Sequence, residues 1–376
     1  MTDRYRNALA AVSTSVGARA AALDHGRTDV RQDLSELGRR RLFDPVFEKN
    51  GLATLVHLVE VVAGQSLAVG LSAWAHIMTL LYLQQSPTAL RERHIDALRD
   101  GARQGATAMA PGLKQLAGLD DMPVIADKSG DILRITGLIP WASNLFHSAV
   151  IVLPARSVAG DTYVVAVEAD APGVTINPLP EIMALGATAS TSVRLQRVAL
   201  SAAHVISTDL VGFVRHIRPS LLLLQTAMCL GVARSAIDAA QRDSGLLAAQ
   251  FTDEVAALSE RISEHGNRLY ALSAEPSQCP IRDVVQLRLA TATAAVSAAR
   301  LEFTSTGGAA YATTSAANRR FREAAFLPIQ SPTEGQLRRE LQTNASLLVG
   351  GCIERWLTRA DRRPHGSSGP SGGDGR

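Results

Sequence analysis

Gly307-Gly308-Ala309-Ala310-Tyr311, Asn318-Arg319-Arg320-Phe321-Arg322-Glu323-Ala324 and Ile329-Gln330-Ser331-Pro332-Thr333 follow one another toward the C-terminus. The glycine pair carries no Cβ, so it admits either close backbone approach to a phosphate or neighbouring subunit, or an ordinary turn between helices. Arg319 and Arg322, three residues apart, share one face of a helix, where they can pair with carboxylates such as Glu323 or Glu302, or reach a ligand. Ser331-Pro332-Thr333-Glu334 has the pattern of a helix start: Ser at the N-cap, Pro at the first position and Glu closing a capping box.

Upstream of this stretch, apolar residues at three- and four-residue spacing predict helices over residues 220–241, 252–272 and 281–304. Residues 4–106 show the same period, for example Leu34, Leu37 and Leu42, then Leu90, Ile95 and Leu98. Between the two helical regions lie short β-branched runs bounded by Gly, Asp, Ser and Pro: residues 124–126, 132–135, 149–153, 163–167 and 193–195. The expected organisation is an N-terminal helical domain (1–105), a central β domain (106–215), a C-terminal helical bundle (216–360) and a disordered tail (361–376) without an anchoring apolar residue.

Of the 376 residues, 46% are hydrophobic, 19% charged and only 4% aromatic, which favours a large core of helices packed through Ala and Leu. The net charge is +3 and the basic residues are scattered, so nucleic acid is not an expected partner. Cys229, Cys279 and Cys352 are odd in number and widely spaced, as suits reduced thiols, and no metal-type Cys or His pair occurs. No secretory signal pattern follows the N-terminus, which makes the cytoplasm the expected location. The apolar stretch 52–83 is long enough to span a bilayer, but Glu60 and the Gly64-Gln65-Ser66 break divide it into two helices of a soluble core.

The C-terminal stretch resembles the signature of acyl-CoA dehydrogenases, GG-x-G-Y, then E-R-x-x-R-D-A, then I-Y-E-G-T. Gly137-Leu138-Ile139-Pro140-Trp141-Ala142-Ser143-Asn144 resembles that family's G-x-K-x-W-I-T/S-N, and Leu185-Gly186 to Ser190 its L/M-G-x-x-x-S. The order helical, β, helical is also the family's. The resemblance implies an α+β, mainly helical fold with an N-terminal helical domain, a central β-barrel or sandwich and a C-terminal four-helix bundle. It implies FAD as cofactor, held by Met109, Trp141, Ser143, Thr304, Gly307 and Gly308. It further implies an acyl thioester or other small-molecule substrate, an electron acceptor or flavin reductase, and a homodimer, tetramer or heteromer with a paralogue. For Trp141 and Ser143 the residues offer a chemical reason: an isoalloxazine ring needs an apolar face for stacking and a donor for its polar edge.

Several positions depart from the family pattern. Met109-Ala110 replaces a Thr-Glu, and no G-S-D follows; Thr304 stands for a Gln; the helix Cys229 to Ala236 matches L-G-x-A-R-x-A, but no R-x-x-F-G comes after it, Arg242 being the nearest basic residue. Most consequentially, Ser331 occupies the place of the glutamate that removes the substrate α-proton, and a serine hydroxyl is too weak a base for that step. The helix that carries the base in other relatives reads Arg218-Pro219-Ser220-Leu221-Leu222-Leu223-Leu224-Gln225, without a carboxylate. Glu334, three residues on, is the candidate base, and His216 a further one. Three functions follow: α,β-dehydrogenation of an acyl thioester with an atypical base, a flavin-dependent monooxygenase or hydroxylase, or a non-catalytic subunit of a heteromeric acyl-CoA dehydrogenase.

Overall fold

The computed structural model describes residues 2–343, apart from 244, 246–247 and 277–278. Cys352 and the tail expected to be disordered lie outside the described residues. Five helices open the chain: α1 (Asp3–Asp24), α2 (Arg31–Arg39), α3 (Leu52–Gln65), α4 (Leu67–Gln84) and α5 (Thr88–Arg99). The long apolar stretch divides at Ser66, whose extended backbone separates α3 from α4. No side chain of its own caps α4. Instead the Glu323 carboxylate, far along the chain, accepts from the Leu67 N–H.

Eight strands follow, with α6 (Ala110–Leu116) after the first: β1 (Gly105–Thr107), β2 (Val124–Ser129), β3 (Ile132–Ala142), β4 (Val150–Ser157), β5 (Thr162–Glu168), β6 (Val174–Ile176), β7 (Thr191–Ser201) and β8 (Val205–Ser207). Hydrogen bonds join them into one sheet in the order β6-β7-β3-β2-β4-β5-β8, with β1 parallel to β4. A core of its own, including Val124, Ile135, Ile151, Val165 and Val193, consists of strand and adjoining turn residues, which a sheet achieves by curling over one of its faces. The other face of β4 and β5, through Val150, Val152, Val164 and Ala166, joins the helical core.

The described residues close with α7 (Leu210–Arg242), α8 (Thr252–Ala274), α9 (Ile281–Thr306), α10 (Ala316–Ala324) and α11 (Glu334–Gln342). The sequence predicts a helix starting after Pro219, yet α7 begins at Leu210, capped by the Asp209 side chain on Gly212 N, and runs through the proline. Burial of Phe213, Val214 and Ile217 on one side supports the extra turns against the missing N–H. Helix α7 packs on α3, α8 and α9. Its contact with α3 is backbone to backbone: a Cβ on Gly231 would lie 2.1 Å from Glu60 O. Among the described residues two helices, α4 and α7, are long and apolar enough to cross a membrane, and 89% and 83% of those windows are buried in the fold.

Candidate active site

A cleft of about 600 Å³ opens where α4, the β1–α6 connection, the end of β3, residues 182–190, α7 and residues 322–333 meet. Leu71, Trp74, Met109, Leu113, Leu185, Leu221 and Phe326 give it an apolar floor and walls. The sequence delivers Trp141 to this wall by an irregularity. Between Ile139 and Ala142 the β3–β7 register shifts, so that Pro140 and Trp141 both face outward instead of alternating. The indole is consequently 56% exposed.

Next to it lies a row of hydroxyls. Ser143 Oγ is 2.8 Å from Ser190 Oγ, which is 2.6 Å from Thr188 Oγ1, and Thr188 donates to Leu185 O. Two non-glycine residues in left-handed conformation, Leu185 (φ +69°) and Ala189 (φ +48°), bend the chain around this row. Asn144, also left-handed (φ +62°), is fully buried and donates from Nδ2 to Ser72 O of α4 and Gly105 O of β1. One amide thus fixes the turn after Trp141 to both neighbouring elements. Opposite Asn144, His76 accepts from Gly105 N at 3.0 Å through Nδ1 and donates from Nε2 to Leu98 O, 2.8 Å away. Burial holds its pKa down at about 4.

Ser331, at one end of the cleft, is tied to the buried Gln225, which closes the carboxylate-free stretch 218–225 of α7. Gln225 Nε2 donates to Ser331 O at 2.8 Å. Arg288 of α9, 2% exposed, lies behind them, donating to Leu327 O (2.8 Å), Gln225 Oε1 (3.4 Å) and Gln330 Oε1 (3.4 Å). Ser331 Oγ and Gln330 Nε2 are both buried and without a hydrogen-bond partner among the described residues. The only carboxylates lining the cleft among those residues are Asp120 and Asp121, on the loop after α6; Asp120 lies 3.9 Å from Lys114 and is well exposed.

The structure therefore brings Met109, Trp141, Ser143 and Ser331 to one cleft and leaves the other candidates elsewhere. Glu334 is not among the lining residues: it opens α11 and pairs with Arg338 at 2.7 Å. The cap of that helix is Thr333, whose hydroxyl accepts from Gln336 N at 3.2 Å, rather than Ser331. The Ser331 carbonyl is held by Gln225, and the helix starts three residues on, at Glu334. Thr304 is exposed and bonds Arg300 O. A Cβ on either Gly307 or Gly308 would meet nothing within 4 Å, so within this chain neither permits a close approach; Gly307 answers instead to its φ of +67° at the end of α9. His216 lines a separate depression with Phe47 and Lys49.

Of the arginines in the signature, Arg319 pairs with Glu323 (3.8 Å), while Glu302 is taken by Arg320. Arg322 holds Asp24 through both guanidinium nitrogens, donates to Met183 O, and also lines the cleft. Arg288 and Gln330 went unnoticed in the sequence. The former had a signal, since it interrupts the buried positions Val284, Thr291 and Ala295 at helical spacing.

No protein-family model matches the sequence, and no curated protein matches it. Solved structures do. A glutaryl-coenzyme A dehydrogenase in complex with glutaryl-CoA aligns with a TM-score of 0.81 at 16% identity, covering 97% of this chain and 98% of its own. Butyryl-CoA dehydrogenase from Megasphaera elsdenii gives 0.80 at 18% identity, with 91% and 98% covered. A prolyl acyl carrier protein oxidase gives 0.79 at 15%, with 91% and 99% covered. The chain has the α+β, mainly helical fold of acyl-CoA dehydrogenases and their oxidase relatives, over nearly its whole length.

Proposed function

We propose that this chain is an FAD-dependent oxidoreductase that seats the flavin ring and a small organic substrate, an acyl thioester by analogy with its structural neighbours, in the cleft beside Trp141. The observation that carries this reading is the exposed indole standing over an apolar cleft next to the Ser143–Ser190–Thr188 hydroxyl row. A planar ring with one polar edge fits that combination of apolar face and hydroxyl row. FAD, when bound, supplies the hydride acceptor or, once reduced, reactivity toward oxygen. Trp141 provides the stacking face, the Ser143–Ser190 hydroxyls a polar surface for the ring's edge, with Ser143 Oγ free to accept, and Met109, Leu185 and Phe326 the exclusion of water.

A second reading concerns the reaction. Dehydrogenation of a thioester requires a group to take the α-proton, and at this end of the cleft Ser331 and Gln330 supply hydrogen-bond donors but no carboxylate. This favours chemistry that needs no such base, either monooxygenation by reduced flavin furnished by a reductase, or a subunit that turns over only beside a complete paralogue. Tyr311, 82% exposed next to Gly307 and Gly308, fits assembly with another copy or a paralogue at that surface.

The test is the visible absorption spectrum of the protein expressed alone, followed by assays of the flavin-loaded protein. Flavin absorption, with oxygen- and reductase-dependent product formation, supports the monooxygenase; anaerobic reduction of the flavin by an acyl thioester supports the dehydrogenase. A folded protein that neither contains nor takes up FAD refutes both.

A further inference from the structure

We propose that the Ser331 end of the cleft is a subsite for a carboxylate group of the substrate, held by Gln330 Nε2 and Ser331 Oγ with Arg288 as the fixed positive charge behind them. The subsite rests on the preceding reading only in taking the cleft as the place where substrate binds.

The orientation of Gln330 follows from its neighbour. An arginine can only donate, so the oxygen that lies 3.4 Å from Arg288 must be the carbonyl of the Gln330 amide, and the NH₂ group must point the other way. Gln330 is 4% exposed and among the residues that line the cleft, and its NH₂ group is buried with no acceptor among the described residues. A buried donor left unpaired is costly unless an acceptor arrives from outside the fold. Ser331 Oγ, on the next residue, is a second such donor. Two adjacent unpaired donors match the two oxygens of a carboxylate.

Charge points the same way. Arg288 has three neutral oxygens as partners, and no carboxylate lies within ion-pair distance of it among the described residues. Cys229, one turn beyond Gln225 on α7, lies within the influence of the Arg288 charge, and burial pushes its thiol up, so it stays neutral. A cation enclosed by neutral groups leaves the adjoining cleft wall at positive potential, and an anion seated one residue away compensates it. The cleft carboxylates Asp120 and Asp121 are on the exposed rim and do not compete.

The closing experiment titrates the full-length protein, as purified and with its flavin content recorded, with glutaryl-CoA and pentanoyl-CoA, which differ in a terminal carboxylate. The expected result is binding of glutaryl-CoA about tenfold tighter, as suits one added charge-assisted contact. Gln330→Glu should abolish that preference, because the new carboxylate replaces the donor and neutralises Arg288 while keeping the size of the side chain. Arg288→Met should weaken it too, and its thermal midpoint reports whether it folds; if it does not, Gln330→Glu and Ser331→Ala decide. Equal affinities, or a preference that survives Gln330→Glu, overturn the subsite. Equal affinities that both fall in Gln330→Glu show that the donors read the thioester carbonyl, which also overturns it. Discrimination by a protein that neither contains nor takes up FAD keeps the subsite and removes the FAD reading; a flavin-loaded protein that does not discriminate removes the subsite alone. Binding of neither thioester overturns the subsite together with the thioester substrate class.

Discussion

Acidification from about pH 7 to pH 5 should destabilise the wild-type chain by about 2 kcal/mol more than it destabilises a His76→Gln variant. His76 is fully buried, and its pKa falls from 6.5 to about 4 because burial disfavours the imidazolium. Its hydrogen bonds fix the neutral form, since Nδ1 accepts from Gly105 N and Nε2 donates to Leu98 O. Below 6.5 the unfolded chain takes up a proton at this site that the folded chain refuses until about pH 4. The stabilising contribution is complete above 6.5 and is lost as the pH falls toward 4. Down to pH 5 the interval is about 1.5 units, which at about 1.36 kcal/mol per unit gives about 2 kcal/mol. Gln replaces both hydrogen bonds without titrating. The comparison must be with this variant because Glu323 slopes the opposite way: burial raises its pKa to about 7, so its contribution is complete below 4.5 and lost as the pH rises through 7. His94, lowered to about 4 chiefly by burial, adds to the acid slope in both proteins. The assay is urea unfolding at several pH values, followed by far-UV circular dichroism. Parallel stability curves for the two proteins would refute the buried neutral histidine and the tie it makes between α4 and β1.

Trp141→Ala should raise the dissociation constant for FAD about tenfold in a fluorescence titration of the deflavinated protein, the worth of one aromatic stacking face, with little change in thermal midpoint; unchanged affinity would remove Trp141 from the site. Glu334→Gln should leave turnover intact and shift stability by less than about 0.5 kcal/mol, because the residue forms only a partly exposed pair with Arg338, and loss of turnover would restore it as the base. Arg322→Ala should cost about 3 kcal/mol in denaturant unfolding by leaving Asp24, 4% exposed at its side chain, buried without its partner; a change under about 1 kcal/mol would contradict that. Gly231→Ala, which puts a methyl 2.1 Å from Glu60 O, should destabilise by about 3 kcal/mol or more, and a near-neutral result would show that α3 and α7 are farther apart than described.

The parts of the fold that were legible in the sequence are those with a local cause. The break at Ser66 and helices 252–272 and 281–304 are periodic, and each of the β-branched runs overlaps a strand. The short strands β1, β6 and β8 have three residues each, too few for alternation to register. Non-local causes were not legible. Ser331 fails as a cap because Gln225, on another helix, holds its carbonyl. Glu302 pairs with Arg320 rather than with either arginine singled out by spacing, since spacing gives the face of a helix and not the partner across from it. The exposure of Trp141 depends on a register shift against β7, which Pro140 inside a central strand marks but the alternation of β3 does not reveal.

The backbone contact between α3 and α7 bears on how a substrate reaches the cleft. Where main chains touch at Gly64 and Gly231 there is no layer of side chains to slide or repack, and the Glu60–Arg234 pair and the Glu60–Tyr270 hydrogen bond beside it tie α3 to both α7 and α8. The two helical regions are riveted into a single block, and opening them like jaws would tear that seam. Traffic into the site must then pass the exposed rim after α6, since the segment 182–190 is itself anchored by Leu185 and Ala187 in the helical core.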